Sequence, residues 1–96
     1  MSFSEQALRD FLQFLLQNVK DEGESVLKSL LQYKEKTDDS DFKKLIQDLV
    51  DYIENGGTID EAMEQYPEVF NETTRSIISE GIEKGKFEEA LQRLVG

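Results

Sequence analysis

The chain has 96 residues, with 21 acidic and 11 basic side chains and a net charge of −10, and it contains neither cysteine nor histidine. This length suits one small domain. The missing residue types exclude disulfides, thiolate nucleophiles, cysteine- or histidine-based zinc sites and the commonest general base. The negative charge argues against binding nucleic acid or anionic lipid. We expect no membrane contact within this chain, because no apolar stretch approaches the roughly 20 residues of a membrane span.

Helical periodicity predicts the first two helices. The first extends from about Glu5 to Lys20 behind an N-cap at Ser4, and Gly23 follows it as a stop. The second begins at about Glu24 or Ser25 and ends near residue 36. The apolar positions of the first helix form a stripe wider than one buried face needs: Ala7, Leu8, Phe11, Leu12, Phe14, Leu15, Leu16 and Val19. Those of the second form a narrower face: Val26, Leu27, Leu30 and Leu31, with Tyr33 at its edge.

The third helix has the clearest pattern and extends from about Asp41 to Asn55. Its apolar positions follow i, i+3, i+4, i+7, i+8 and i+11: Phe42, Leu45, Ile46, Leu49, Val50 and Ile53. Gly56 can then adopt the left-handed backbone conformation that is common just beyond a helix end. Thr58 and Glu61 are spaced as a capping box. They predict a short fourth helix from residue 59 to about 65 or 66, with residues 62 and 63 facing inward and a proline at 67 to end it.

Two further helices complete the predicted fold. Val69 and Phe70 lie in a connector that we expect to close one end of the core. Asn71 caps a fifth helix over about residues 72–84, with isoleucines 77, 78 and 82 inward, and Gly85 separates it from a sixth over about 86–94. Because no stretch alternates with period two, residues 1–96 predict one all-α domain, a compact bundle of about six antiparallel helices.

The acidic residues are unevenly distributed along the chain. Between Lys44 and Arg75 there are eight acids and no base. Two interpretations remain open: a solvated face that keeps the domain soluble, or a docking surface for a basic protein partner.

The acidic break between the second and third helices is a candidate site of a different kind. Residues 37–42 lack the alternating oxygen ligands, glycine and terminal glutamate of an EF-hand, so they predict a helix-capping loop. Asp39-Ser40-Asp41 resembles the Asp-Ser start of an acyl carrier helix. A phosphopantetheine group on Ser40 stays open as an alternative, although carriers have an apolar residue where Asp41 stands. No other cofactor is expected.

Glu80, Gly81 and Glu83 are candidate interaction residues near the end of the fifth helix. Paired carboxylates can exchange protons when one is buried, but Lys84 and Lys86 lie nearby and no cleft accompanies the pair. We therefore predict a charged helix end, with a weak divalent-cation contact left open and no catalytic or metal-binding residue assigned. A glycine inside a helix costs about 1 kcal/mol relative to alanine. Gly81 therefore predicts close approach of another backbone, from the same domain or from a second molecule.

Two segments together carry a family resemblance. One comprises Gly56–Ala62 and the Tyr66–Phe70 turn, and the other is Gly81–Phe87. With the apolar positions around them, from about residue 11 to 94, they resemble the F domain of the inner-membrane platform proteins of type II secretion systems and type IV pilus assembly. The family pattern has glutamate where Ile82 stands and serine where Lys84 stands, so any role of those polar side chains does not carry over.

The resemblance implies a helical protein-interaction scaffold and not an enzyme. It implies the assembly ATPase and other platform components as partners, and a cytoplasmic location at the inner-membrane face. Full-length members of the family combine two such domains with membrane helices. We therefore expect this chain to be either the cytoplasmic domain of a membrane-embedded parent or a free-standing adaptor with a regulatory role.

The first helix supplies the expected contact of a homodimer, because family members self-associate. Its stripe is wider than one face needs, which predicts that Phe11, Phe14 and Leu15 are buried against a second copy. A clean monomer that is unaffected by Phe14→Ser would contradict this expectation.

Overall fold

The computed structural model describes residues 3–21, 23 and 25–96, and this part of the chain contains helices and no strand, which confirms the all-α prediction. The described helices are α1 (Glu5–Lys20), α2 (Val26–Lys36), α3 (Ser40–Glu54), α4 (Ile59–Met63), α5 (Glu72–Glu83) and α6 (Phe87–Val95). None of them is long and apolar enough to cross a membrane. Glu22 and the alternative start of the second helix at Glu24 lie outside the described residues.

Short polar side chains begin most of the helices, as their spacing predicts. Ser4 accepts a hydrogen bond from the amide of residue 7 at 3.0 Å, and Asn71 accepts one from the amide of residue 74 at 2.9 Å. Asp39 accepts from the amides of residues 41 and 42, which starts α3 one residue earlier than predicted. The predicted capping box of α4 is present, and the Thr58 amide donates to Glu61 Oε1 at 3.0 Å. These bonds satisfy amides that a helix leaves unpaired at its first turn.

Glycines end α3 and α5 in the same way. Gly56 and Gly85 have φ angles of 99° and 67°, a left-handed conformation that costs other residues more because of their Cβ. The Gly57 amide then donates to the carbonyl of Tyr52 at 3.1 Å. At the end of α5, the Lys86 amide donates to the carbonyl of residue 81 at 2.6 Å. Both ends are Schellman motifs closed by backbone hydrogen bonds, and at the end of α3 the Asn55 side chain also donates to the carbonyl of Asp51 at 2.8 Å.

The short helix α4 ends at Met63 and not at residue 65 or 66 as predicted. Beyond it the chain tightens, because the Gln65 amide donates to the carbonyl of residue 62 at 3.2 Å and the Tyr66 amide to that of residue 63 at 3.0 Å, both three residues back. The Tyr66 hydroxyl donates to Asp48 on α3 and fixes this turn against the bundle. Burial and the Asp48 carboxylate raise the pKa of Tyr66 to about 12.

The helices close into a ring around the core. Each packs against the next in the chain, and α6 returns to pack against α1, where Arg9 Nη1 donates to the carbonyl of Val95 at 2.9 Å. Phe11 lies at the centre of an aromatic cluster, with ring centroids 5.3 Å from those of Tyr33 and Phe42 and 6.4 Å from that of Phe70. Phe70, from the predicted connector, is buried in this core.

The inner face of α2 differs from the predicted one at Leu31, which is 42% exposed. Leu30 is buried as predicted, and Ser29 is buried in place of Leu31. Tyr33 packs on the aromatic cluster, which brings the line through residues 26, 29, 30 and 33 inward. Successive residues are about 100° apart around a helix, so Ser29 and Leu31 lie on opposite sides of Leu30. The face that includes Ser29 therefore leaves Leu31 outside. The Ser29 hydroxyl donates to the carbonyl of residue 25 at 2.9 Å, which satisfies the one polar group that this face buries.

Candidate interaction surfaces

The predicted homodimer residues of α1 lie in two different environments. Phe11 and Leu15 are fully buried among the chain's own helices, so the folded bundle leaves them no surface for a second copy. Phe14 is half-buried. Its ring centroid lies 5.1 Å from that of Tyr33, and Lys36 Nζ lies 4.9 Å from the Phe14 centroid. The homodimer prediction therefore depends on Phe14.

Gly81 is buried where α5 meets α6. The close approach predicted for it is therefore made by a helix of the same domain. A Cβ at this position would lie 2.7 Å from the Cβ of Ala90 and 3.0 Å from the carbonyl oxygen of Lys86. Both distances are shorter than ordinary van der Waals contact. The missing side chain therefore allows α6 to approach α5 closely.

Glu80 and Glu83 are both exposed, and both line one surface cavity, so the expectation that no cleft accompanies the pair is wrong. Glu80 Oε1 is 2.8 Å from Lys84 Nζ, and this contact lowers the pKa of Glu80 and raises the pKa of Lys84. An exposed pair of this kind contributes little to stability. Among the described residues, no group of three or more histidine, cysteine, aspartate or glutamate side chains is placed to hold a metal ion. The arrangement is that of a charged helix end.

The loop before α3 caps the helix, as predicted. Asp39 provides the cap, and Ser40 is exposed as the first residue of α3. Modification of Ser40 remains a prediction.

A groove of about 660 Å³ opens at the end of the bundle where α1, α3 and α5 finish and α2, α4 and α6 begin. Five of the side chains that line it are apolar, half-buried and drawn from five different helices: Val19, Val26, Ile53, Ile82 and Phe87. Ile59 of α4 lies buried among them. We call this feature the apolar groove. Sequence reasoning missed it, because each of these residues occurs near the end of its own helix and looks there like the margin of a core stripe.

A second cavity, of about 510 Å³, is lined by charged and hydroxyl side chains. We call it the acidic pocket. Its lining residues differ from those of the apolar groove, but two of them, Asp60 and Glu83, directly follow Ile59 and Ile82 of the groove in the chain. The side chains of the acidic pocket include five carboxylates around one guanidinium group: Asp60, Glu64, Glu72, Glu80, Glu83 and Arg75. Part of the predicted acidic surface thus lies beside the apolar groove.

Comparison with protein-family models gives one match. Residues 11–95 match the family described as type II secretion system (T2SS), protein F. The matched range begins within α1 and extends to the last residue of α6, so it includes both the apolar groove and the acidic pocket. No curated protein sequence matches the chain.

Proposed function

The chain belongs to the type II secretion system protein F family, and from that membership we propose that it is a non-enzymatic scaffold of a type II secretion or type IV pilus assembly machine. The observation that carries the proposal is the family match over residues 11–95, nearly the whole of the ring of helices. We treat residues 1–96 as one unit of this kind, which works through the surfaces it offers to other proteins.

The composition of the chain supports a scaffold over an enzyme. Cysteine and histidine are absent, and these residues provide most thiolate nucleophiles and general bases at neutral pH. The carboxylates considered as acid–base candidates, Glu80 and Glu83, are exposed. Burial is what usually raises the pKa of a carboxyl group into a catalytic range. The proposed activity is therefore binding.

We propose the assembly ATPase and other platform components as the partners, at the cytoplasmic face of the inner membrane. Self-association is a second part of the proposal, with Phe14 as the contact residue. Phe14 suits that role because its ring is partly exposed beside Tyr33 and Lys36. Aromatic residues are enriched in protein–protein contacts.

The test is direct binding between the purified chain and the purified assembly ATPase and platform proteins from the same organism. Biolayer interferometry should show saturable binding to at least one of them, with a dissociation constant of about micromolar order, as expected for a transient interface. An unrelated folded protein of similar negative charge is the control for nonspecific electrostatic attraction. If the folded chain binds none of the assembly components, the proposed function is wrong.

A further inference from the structure

The apolar groove leaves five aliphatic or aromatic side chains partly in contact with water at one place on the surface. They come from the ends of α1, α2, α3, α5 and α6. Single exposed apolar residues are normal on proteins, but a concave cluster of them with a polar rim is characteristic of binding sites. Covering apolar surface gains about 25 cal/mol for each Å² removed from water. The groove is therefore a favourable binding site for an apolar side chain from another molecule.

The margin of the groove is predominantly acidic. Glu88 and Glu89 line it alongside a single base among its lining residues, Lys86. On the side of α4 and α5, Asp60 and Glu83 of the acidic pocket directly follow the groove residues Ile59 and Ile82 in the chain, which places two more carboxylates near the groove. A molecule seated in the groove would therefore place its flanks against carboxylates, which attract cationic groups and repel anionic ones.

The charge of the chain discriminates among the possible occupants. A second copy also carries a net charge of −10, so pairing two acidic margins is electrostatically unfavourable. Anionic lipid and nucleic acid are repelled for the same reason. A partner with apolar anchors and basic flanks satisfies both the groove and its margin.

We propose that the apolar groove binds an amphipathic helix from a partner protein, with aliphatic side chains seated among Val26, Ile53, Ile82 and Phe87 and with lysine or arginine facing the acidic pocket. Helix-in-groove recognition uses anchors at i, i+3, i+4 and i+7 in this way. The proposal rests on the proposed scaffold function and adds the chemistry of the partner.

The probe is a synthetic amphipathic peptide of about 18 residues, roughly five helical turns. It carries leucine and isoleucine at i, i+3, i+4 and i+7 and lysine or arginine elsewhere. One control peptide has the same composition in an order that breaks the apolar face, and a second has glutamate in place of every base. Fluorescence anisotropy should give a dissociation constant at least about tenfold lower for the probe than for either control. Raising NaCl from about 0.05 to about 0.5 M should weaken probe binding.

Two pairs of variants locate the binding. Ile82→Glu adds a charge within the groove and should weaken probe binding at least about tenfold, whereas Leu31→Glu makes a similar change on an exposed site outside the groove and should change it less than about twofold. Glu83→Gln should weaken binding about two- to threefold, and the same substitution at the exposed Glu35 should leave it unchanged. Circular dichroism establishes that each variant is folded.

Chemical-shift mapping on the ¹⁵N-labelled wild-type chain tests the location without any substitution. The probe should shift the amides that surround the groove, with the largest changes near Ile53, Ile82 and Phe87. Shifts centred elsewhere, equal binding of the scrambled peptide, or binding that ignores salt would each overturn the proposal. Groove shifts that grow with protein concentration in the absence of peptide would also overturn it, because the occupant would then be a second copy.

The proposed function and this inference can fail separately. If an assembly component binds the wild-type chain and Ile82→Glu equally well, the groove proposal is overturned and the scaffold function stands. If the probe occupies the groove but no assembly component binds, the groove proposal is supported and the scaffold function is overturned.

Discussion

Gly81→Ala is expected to destabilise the fold, although alanine is normally the better helix residue. Glycine-to-alanine changes inside helices usually gain about 1 kcal/mol. Here the new Cβ would lie 2.7 Å from the Cβ of Ala90 and 3.0 Å from the carbonyl oxygen of Lys86. That carbonyl accepts the Ala90 amide at 3.1 Å in the first turn of α6. Neither neighbour is the mobile end of a long side chain, so α6 itself must move.

The magnitude follows from two opposing contributions. Overpacking a well-filled contact costs about 1–3 kcal/mol, and the helix-propensity gain offsets about 1 kcal/mol of it. Because the new contacts are as short as 2.7 and 3.0 Å, we take the upper part of the overpacking range, about 2–3 kcal/mol. The expected net loss in the free energy of unfolding is then about 1–2 kcal/mol. For a domain of this size, each kcal/mol lowers the melting temperature by about 4–8 °C.

Urea unfolding followed by circular dichroism measures this loss, and a double-mutant cycle identifies its cause. In an Ala90→Gly background the closest contact is removed, so the cost of Gly81→Ala should fall by about 1 kcal/mol. Ser76→Ala, at an exposed position of α5, is the control for helix propensity and should be neutral or slightly stabilising. The reasoning is refuted if Gly81→Ala is as stable as the wild type, or if its cost is the same in both backgrounds.

Three other perturbations test separate parts of the structure. Gly85→Ala should lower the free energy of unfolding in urea by about 1 kcal/mol, because residue 85 has a φ angle of 67°. Gly85→Asn should lower it less. Equal stability of both variants and the wild type would contradict this expectation. Burial and Asp48 raise the pKa of Tyr66 from 10.0 to about 12, so its stabilisation is complete below pH 10 and is lost as the pH rises towards 12. Solvent screening limits this loss of stability to less than about 1 kcal/mol. Tyr66→Phe should remove this pH dependence of stability. An identical pH dependence in that variant would exclude a stabilising contact between Tyr66 and Asp48. Phe14→Ser should reduce self-association in light scattering while Leu31→Ser does not; an 11.1 kDa monomer in all cases would end the homodimer proposal.

The elements that the sequence predicted best are those whose periodicity and caps agree. In α3 the residues from Phe42 to Val50 at core spacing are all buried, and Asp39 and Gly56 fix its two ends. Local hydrogen bonds and one apolar stripe are sufficient there, because both depend only on residues close in sequence.

The face of α2 could not be predicted from its own residues. Leu30 and Leu31 fit an apolar stripe equally well, and Ser29 has no apolar signal at all. The choice was made by Tyr33, whose ring contacts Phe11 of α1 and Phe42 of α3. Those contacts join residues far apart in the chain, and local periodicity contains no information about them.

The apolar groove could not be predicted for a related reason. Its apolar lining residues, from Val19 to Phe87, are separated by up to 68 positions in the chain, and each is the outermost apolar residue at one end of its helix. Only the closing of the ring by α6 against α1 brings the ends of the helices together. Of the predicted interaction residues, Gly81 lines the groove, but its sequence signal indicated only the close approach of another backbone.

The two departures from the family pattern, Ile82 and Lys84, lie in a turn that backbone hydrogen bonds hold. The end of α5 is held by the amide of Lys86 on the carbonyl of Gly81 and by the amide of Gly85 on the carbonyl of Ile82. Neither bond uses the side chain of residue 82 or 84. Ile82 instead lines the apolar groove, and Lys84 pairs with a carboxylate of the acidic pocket. Because Gly81 and Gly85 maintain the turn, a substitution at the exposed Lys84 changes the surface offered to a partner, whereas one at Ile82 also changes a side chain that packs against the core.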